Sequence, residues 1–269
     1  MTIVVARQLP LRPFPHGTET PGPLGDHIMG MAVLGWLTEH PVAAWGESWM
    51  RHGTLHATFT RPVVAGQSLD MDLIVGETTV DVSYVDADGR PCVTGRSTIG
   101  TKETRDQSAL DLAIRGTPIT DRLAPRATAL EGAVMPPMTF SFDARRDLAF
   151  LDGQADASAW RERGWAHPAW LGTATNATIM RNIDFASRDA STGRWQQVAA
   201  DAVLCEPIVD GDEVTMHSHI GRISTRGRRA QHHVAHLECN FRVGRRTAAR
   251  FTNTFVFATD DPSPDPPHP

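Results

Sequence analysis

Two stretches of the chain carry apolar residues at helical spacing, and each is followed by runs in which apolar and polar positions alternate. Residues 26–40, DHIMGMAVLGWLTEH, set Ile28, Met31, Ala32, Leu34, Gly35 and Leu37 on a broad apolar surface and predict a mostly buried helix. Asp26 stands where a side-chain oxygen can cap its first free N–H groups. Gly30 and Gly35 each lower helix propensity, which points to close approach of the helix to a sheet. Residues 167–182, HPAWLGTATNATIMRN, predict a second helix. Pro168 suits the first helical position, where its missing N–H costs nothing, and this puts His167 at or just before the N-cap.

The alternating runs form a repeat. RPVVAGQSLDMDLIV (61–75) aligns with EPIVDGDEVTMHSHI (206–220), so that Pro62 matches Pro207 and Gly66 matches Gly211 at one offset. Each reads as a turn followed by a period-two strand, with Leu69, Met71 and Leu73 alternating in one and Val214 and Met216 in the other. Upstream of each lie a helix, a connection and a strand; downstream of each lies a hairpin, turning at Asp88-Gly89 in the first half and at Gly244 in the second. A long apolar helix followed by an antiparallel meander, twice over, is an α+β plan.

The second half carries the most specific pieces: HPAWL, the helix asparagine Asn176, EPIVDGDEV, the RG turn and the closing TNTFVF. On these the chain resembles the double hotdog proteins, the fold of the MaoC-like hydratases and dehydratases and of the two-domain acyl-CoA thioesterases. The resemblance spans residues 15–258 and implies two antiparallel sheets, each wrapping a long central helix. The expected organisation is an N-terminal hotdog over 1–115, a linker over 116–135, a C-terminal hotdog over 136–258 and a disordered tail over 259–269, which is rich in Pro and Asp.

Composition narrows the alternatives. A net charge of -5 argues against a general nucleic-acid binder. No apolar run approaches the ~20 residues of a membrane span, and the N-terminus lacks the marks of a secretory signal, so a cytoplasmic protein without membrane association is expected. Cys92, Cys205 and Cys239 are isolated and read as small core residues. The histidines of HSH (217–219) and HHVAH (232–236) invite a metal, but His232 and His233 point to opposite faces of a strand and no carboxylate completes a ligand set, so no metal is expected. No dinucleotide, Walker or nucleophile-elbow motif occurs.

The candidate chemistry sits at the helix entrances. Asn176 is unusual, because an interior helix amide aids neither propensity nor packing; either a strand carbonyl or a bound substrate uses it. His167 stands at the helix start, either as a cap or as a general acid or base. Trp170, which also belongs to the packed surface, and Gly172 are candidate substrate contacts. The clusters RGRR and GRR are hairpin ends or phosphate holders, and Arg226, Arg228 and Arg229 are taken as substrate-binding candidates.

The resemblance implies an acyl thioester, of CoA or a carrier protein, lying between the hotdogs with its carbonyl near a helix N-terminus. There, free N–H groups and the helix dipole favour developing negative charge. In that frame His167 moves a proton, Asn176 orients water or a β-hydroxyl, and Asp26 or His27 serves from the opposite half, with no cofactor. The Asp-x-Asn-Pro-x-His signature of the hydratases is absent, although Asp152 and Asp156 precede His167 and can supply a carboxylate. The thioesterases carry Asp in the second helix where this chain has Asn176, and an amide cannot act as a carboxylate base. The expected activity is hydration or dehydration at the β-carbon; the alternatives are thioester hydrolysis and acyl binding without catalysis. A pseudo-dimeric monomer or a homodimer is expected.

Overall fold

The computed structural model describes residues 2–4, 28, 30–99, 116–184, 195–226 and 232–258. The first half comprises strand β1 (Thr2–Val4), the long helix α1 (Gly30–Trp45), the short helix α2 (Glu47–His52), and strands β2 (Thr54–Phe59), β3 (Ser68–Val75), β4 (Thr79–Val85) and β5 (Pro91–Thr98). In the second half, β6 (Thr117–Pro118), α3 (Ala127–Leu130) and β7 (Ala133–Ser141) lead through α4 (Ala144–Asp147), a 3-10 turn (Ala149–Leu151) and α5 (Ala157–Arg163) to the second long helix, α6 (Pro168–Asn182). Strands β8 (Trp195–Leu204), β9 (Glu213–Ile220), β10 (Ser224–Arg226), β11 (His232–Val243) and β12 (Arg246–Ala258) follow.

The two halves use the same strand order. Outward from the middle, the first half runs β2, β5, β4, β3, β1 and the second β8, β12, β11, β9, β7, with β6 beyond and β10 paired to β11. The repeated turn has a local cause: Gly66 and Gly211 both adopt left-handed backbone, with φ of 80° and 87°, which glycine enters without a Cβ penalty. Instead of the two sheets expected, the described strands form one sheet, because β2 and β8 pair antiparallel from Thr54↔Val203 to Thr58↔Ala199. That pairing satisfies two edges that would otherwise be open.

Helix α1 packs on β2, β4 and β5, α6 packs on β7 and β12, and the two helices touch. The core lies between them and the sheet, with Leu34, Leu37, Ile179, Met216, Phe241 and Phe255 all fully buried. The first helix starts at Gly30 and continues through Pro41 to Trp45, past the expected end at residue 40; Pro41 is buried, and Val42 and Trp45 pack against the core. Those contacts hold a turn whose proline gives up one backbone hydrogen bond. The region expected to be linker carries β6 and α3 and delivers β7, which pairs with β9. The 259–269 tail lies outside the described residues. All three cysteines are free and buried, and burial pushes the Cys205 and Cys239 thiols up to about 12.

Candidate active site

The two long helices run antiparallel, since Thr38 of α1 meets His167 at the start of α6 while Met31 meets Gly172. A Cβ on Gly172 would overlap Met31 Sδ and come within 2.9 Å of the Phe251 ring, so this glycine is where the helices close on each other. One helical turn further along α6, Asn176 stands at the level of the start of α1. Thr38 is the ninth residue of α1 and Asn176 the ninth of α6, so the two face opposite helix entrances in related ways.

The entrance of α6 is sealed. His167 is the N-cap: its Nδ1 accepts from the Ala169 N–H at 3.0 Å, which places the ring proton on Nε2. Nε2 lies 2.8 Å from Thr38 Oγ1, and the Thr38 hydroxyl has Gly35 O at 2.6 Å and Asp156 Oδ2 at 2.8 Å to donate to. Asp156 Oδ2 also accepts from Trp160 Nε1 at 2.8 Å and lies 3.7 Å from His167 Nε2. Burial alone would raise the Asp156 carboxyl, but the donors around it, His167, Thr38 and Trp160, outweigh burial and hold it below its ordinary value. Trp160 and Phe150 pack edge-on against the imidazole at 4.9 and 5.8 Å between centroids. His167 and Thr38 are 0% exposed. In this geometry the only imidazole lone pair is used by the backbone, and none is open to a substrate proton.

The entrance of α1 is different. Asn176 is half-buried, and its Oδ1 accepts from Asn253 Nδ2 of β12 at 2.6 Å. Asn253 is fully buried and its Oδ1 has no partner among the described residues. On β8, next to β12, Gln197 has a buried Nε2 without a partner among the described residues, while its Oε1 lies 2.5 Å from where a Cβ on Gly30 would stand. Gly30 therefore makes room for an amide at the first residue of α1. A bulge between Thr254 and Phe255, opposite Ala199 and Gln197, breaks the strand alternation and turns Gln197 toward the helices. Gln197 beside Gly30, and Asn253 bonded to Asn176, thus bring three amides to the side of the molecule where α1 starts, and two of their buried polar atoms have no partner among the described residues.

The remaining expected residues are dispersed. Trp170 is 2% exposed and packs among Phe140, Phe142 and Phe241 at 5.2, 4.9 and 6.3 Å, so its ring belongs to the core and not to a substrate surface. Asp26, His27, Arg228 and Arg229 lie outside the described residues, as does the side chain of Arg226. Asp152 pairs with Arg161 at the surface at 2.5 Å, whereas Asp156 does join His167. Arg246 of the GRR turn is held by Glu206 and Asp212 at 3.1 and 3.4 Å. Among the described residues, no three His, Cys, Asp or Glu side chains are grouped as a metal site. No helix among them is long and apolar enough to cross a membrane.

Sequence reasoning passed over Thr38, Gln197 and Asn253. Asn253 had a signal, because FTNTFVF puts it in phase with Phe251, Phe255 and Phe257, and a polar residue at an inward strand position needs a partner. Gln197 had none, since only the bulge brings it inside.

No protein-family model matches the chain, and no curated protein matches its sequence. Solved structures do match its shape. A Mycobacterium tuberculosis protein described as having a double hotdog fold covers 89% of this chain and 83% of its own at TM-score 0.51 and 11% identity. The fold is a double hotdog. A MaoC domain protein dehydratase from Chloroflexus aurantiacus is similar over 86% of this chain and 82% of its own, again at TM-score 0.51 and 11% identity. A looser likeness, at TM-score 0.46 and 15% identity, is to a thioesterase II from Thermobifida fusca, over 90% of this chain and 91% of that one. The paired strands β2 and β8 are the seam between the repeats.

Proposed function

We propose that this double hotdog protein processes acyl thioesters of CoA or a carrier protein at the entrance of α1, by reversible hydration or dehydration at the β-carbon. The observation that carries this reading is the group of unused amide atoms, Gln197 Nε2 and Asn253 Oδ1, beside Asn176 and the start of α1. Amides and free helix N–H groups can orient a carbonyl, a water and a β-hydroxyl, the neutral groups that a hydro-lyase handles. The likeness to a MaoC domain dehydratase agrees with it at the level of fold.

Acid-base work falls to Asp26 and His27, which directly precede Ile28 in the chain. His167 is assigned as a buried cap, its ring being committed to Ala169 and Thr38. Aligned on Pro168, the Asp and His of the hydratase signature fall on Trp165 and Trp170, so that dyad has no counterpart at the sealed entrance. Thioester hydrolysis is the second reading: Asn176 can orient a water against the thioester carbon, but as an amide it cannot act as the carboxylate base that the resembled thioesterases carry there.

Incubation of the full chain with 3-hydroxyacyl-, enoyl- and saturated acyl-CoA, followed by mass spectrometry, separates these. Gain or loss of one water, reduced by about 100-fold in Asn176→Ala, is the expected result. Free acid with CoA would instead establish hydrolysis. Turnover unaffected by either Asn176→Ala or His27→Ala would remove the assigned site.

A further inference from the structure

The outer face of the sheet, away from both helices, holds two half-buried arginines that have no ion-pair partner among the described residues. Register places Asn240 of β11 opposite Arg250 of β12, His217 of β9 opposite Asn240, and Thr215 opposite Arg242. Cys239 and Phe241 are 0% exposed and point inward, so Asn240 and Arg242 between and beyond them point outward. Arg242 and Arg250 are diagonal neighbours across one strand pair, roughly 7 Å apart at their stems, close enough for one small oxyanion to reach both.

Four arginines among the described residues are half-buried: Arg51, Arg242, Arg246 and Arg250. Arg51 is held by Glu47 at 2.7 Å, and Arg246 by Glu206 and Asp212. Arg242 donates from Nη2 to the Arg245 carbonyl at 2.8 Å, but neither it nor Arg250 has a carboxylate partner among the described residues. The Nε of each is buried with no hydrogen-bond partner among the described residues. Glu238, on the same face of β11, pairs with neither. Asn240 is 4% exposed, and its Oδ1 is also without a partner. Burial lowers the His217 pKa, and the nearby Arg242 charge lowers it further. Two adjacent guanidiniums that lose water and gain no acid are costly unless something else completes them.

We propose that Arg242 and Arg250, with Asn240 and His217 beside them, form a binding site for a phosphate-type oxyanion on the outer face of β9, β11 and β12. The planar guanidinium fork matches phosphate oxygens two at a time, and Asn240 Oδ1 can accept from the hydrogen-bearing oxygen of a phosphate monoanion or from a neighbouring hydroxyl. The sequence alone pointed to the clusters RGRR (226–229) and GRR (244–246) for this role; Arg242 and Arg250 are strand residues, of β11 and β12. The site lies on the opposite side of the sheet from Asn176 and does not depend on the thioester reading.

The test is calorimetric titration of the full chain in chloride buffer with inorganic phosphate and, separately, with adenosine 3′,5′-bisphosphate. Saturable binding is expected, weakening as salt rises, with Arg242→Gln and Arg250→Gln each reducing affinity about tenfold or more. Tighter binding of the bisphosphate would identify the phosphates of a nucleotide as the ligand, and equal binding a free phosphate. Thermal unfolding of each variant establishes that it is folded; should a Gln variant fail to fold, Arg250→Lys keeps the charge and is expected to lose affinity through the missing fork. Absence of saturable binding in the wild type, or undiminished affinity in the folded double variant, overturns the proposal.

Discussion

The two ends of the helix pair occupy equivalent places in the repeat and are built oppositely. At the entrance of α6, the ninth residue of the facing helix is Thr38, and its hydroxyl closes a chain from the imidazole of His167 to the carboxylate of Asp156 beneath Trp160. At the entrance of α1, the facing ninth residue is Asn176, half-buried, bonded to Asn253 and on the same side as amide atoms without a partner among the described residues. The segment between β7 and α6 makes the difference, because α4, the 3-10 turn and α5 supply Phe150, Asp156 and Trp160 as a plug. A histidine at a helix start is therefore not a site by position alone. What matters is whether its lone pair is free and whether a ligand can reach it.

The contrast can be broken most severely at the sealed end. His167→Ala removes the N-cap, opens a cavity and strands Thr38 and Asp156, and is expected to cost about 3 kcal/mol or more in a urea titration. Activity per folded molecule should persist, and a selective loss of turnover with stability intact would return a proton-transfer role to His167. At the entrance of α1 the balance shifts: Asn176→Ala should lose about 100-fold in turnover while costing about 1–3 kcal/mol, less than His167→Ala, because the buried Asn253 Nδ2 loses its acceptor. Gly172→Ala tests the contact that separates the two ends, and the overlap with Met31 and Phe251 is expected to cost about 1–3 kcal/mol by chemical denaturation.

The smallest expected effect is electrostatic. Because the Asp156 carboxyl is held below its ordinary value of 3.8 in the folded chain, it contributes stability that is fully present above that value and is lost as pH falls through the lower folded value. Stability measured between pH 6 and pH 3 should therefore fall less steeply in Asp156→Asn than in the wild type. Equal slopes would show that the carboxylate is not held by its donors.

Much of the frame was legible in the sequence. The matched prolines and glycines located the repeat, Pro168 fixed the start of α6 and the N-cap position of His167, and the period-two runs gave the strands of the meanders. These are local facts, set by φ preferences, missing donors and side-chain alternation, and they do not need the rest of the molecule. The site was half legible: Asn176 stood out as an amide in a helix, but Gln197 was hidden by a bulge, and the plug over His167 lay in a stretch with little helical pattern.

By itself, then, the sequence determined an α+β repeat, a capped second helix and a short set of polar residues that needed partners. Only the tertiary structure decided that the repeats share one sheet through β2 and β8, that His167 spends its lone pair on its own helix, and that Asn176 meets Asn253 from a strand far along the chain. Local periodicity reports what each segment can bury, whereas the fate of a hydrogen-bonding atom depends on which distant group arrives beside it and whether water can follow.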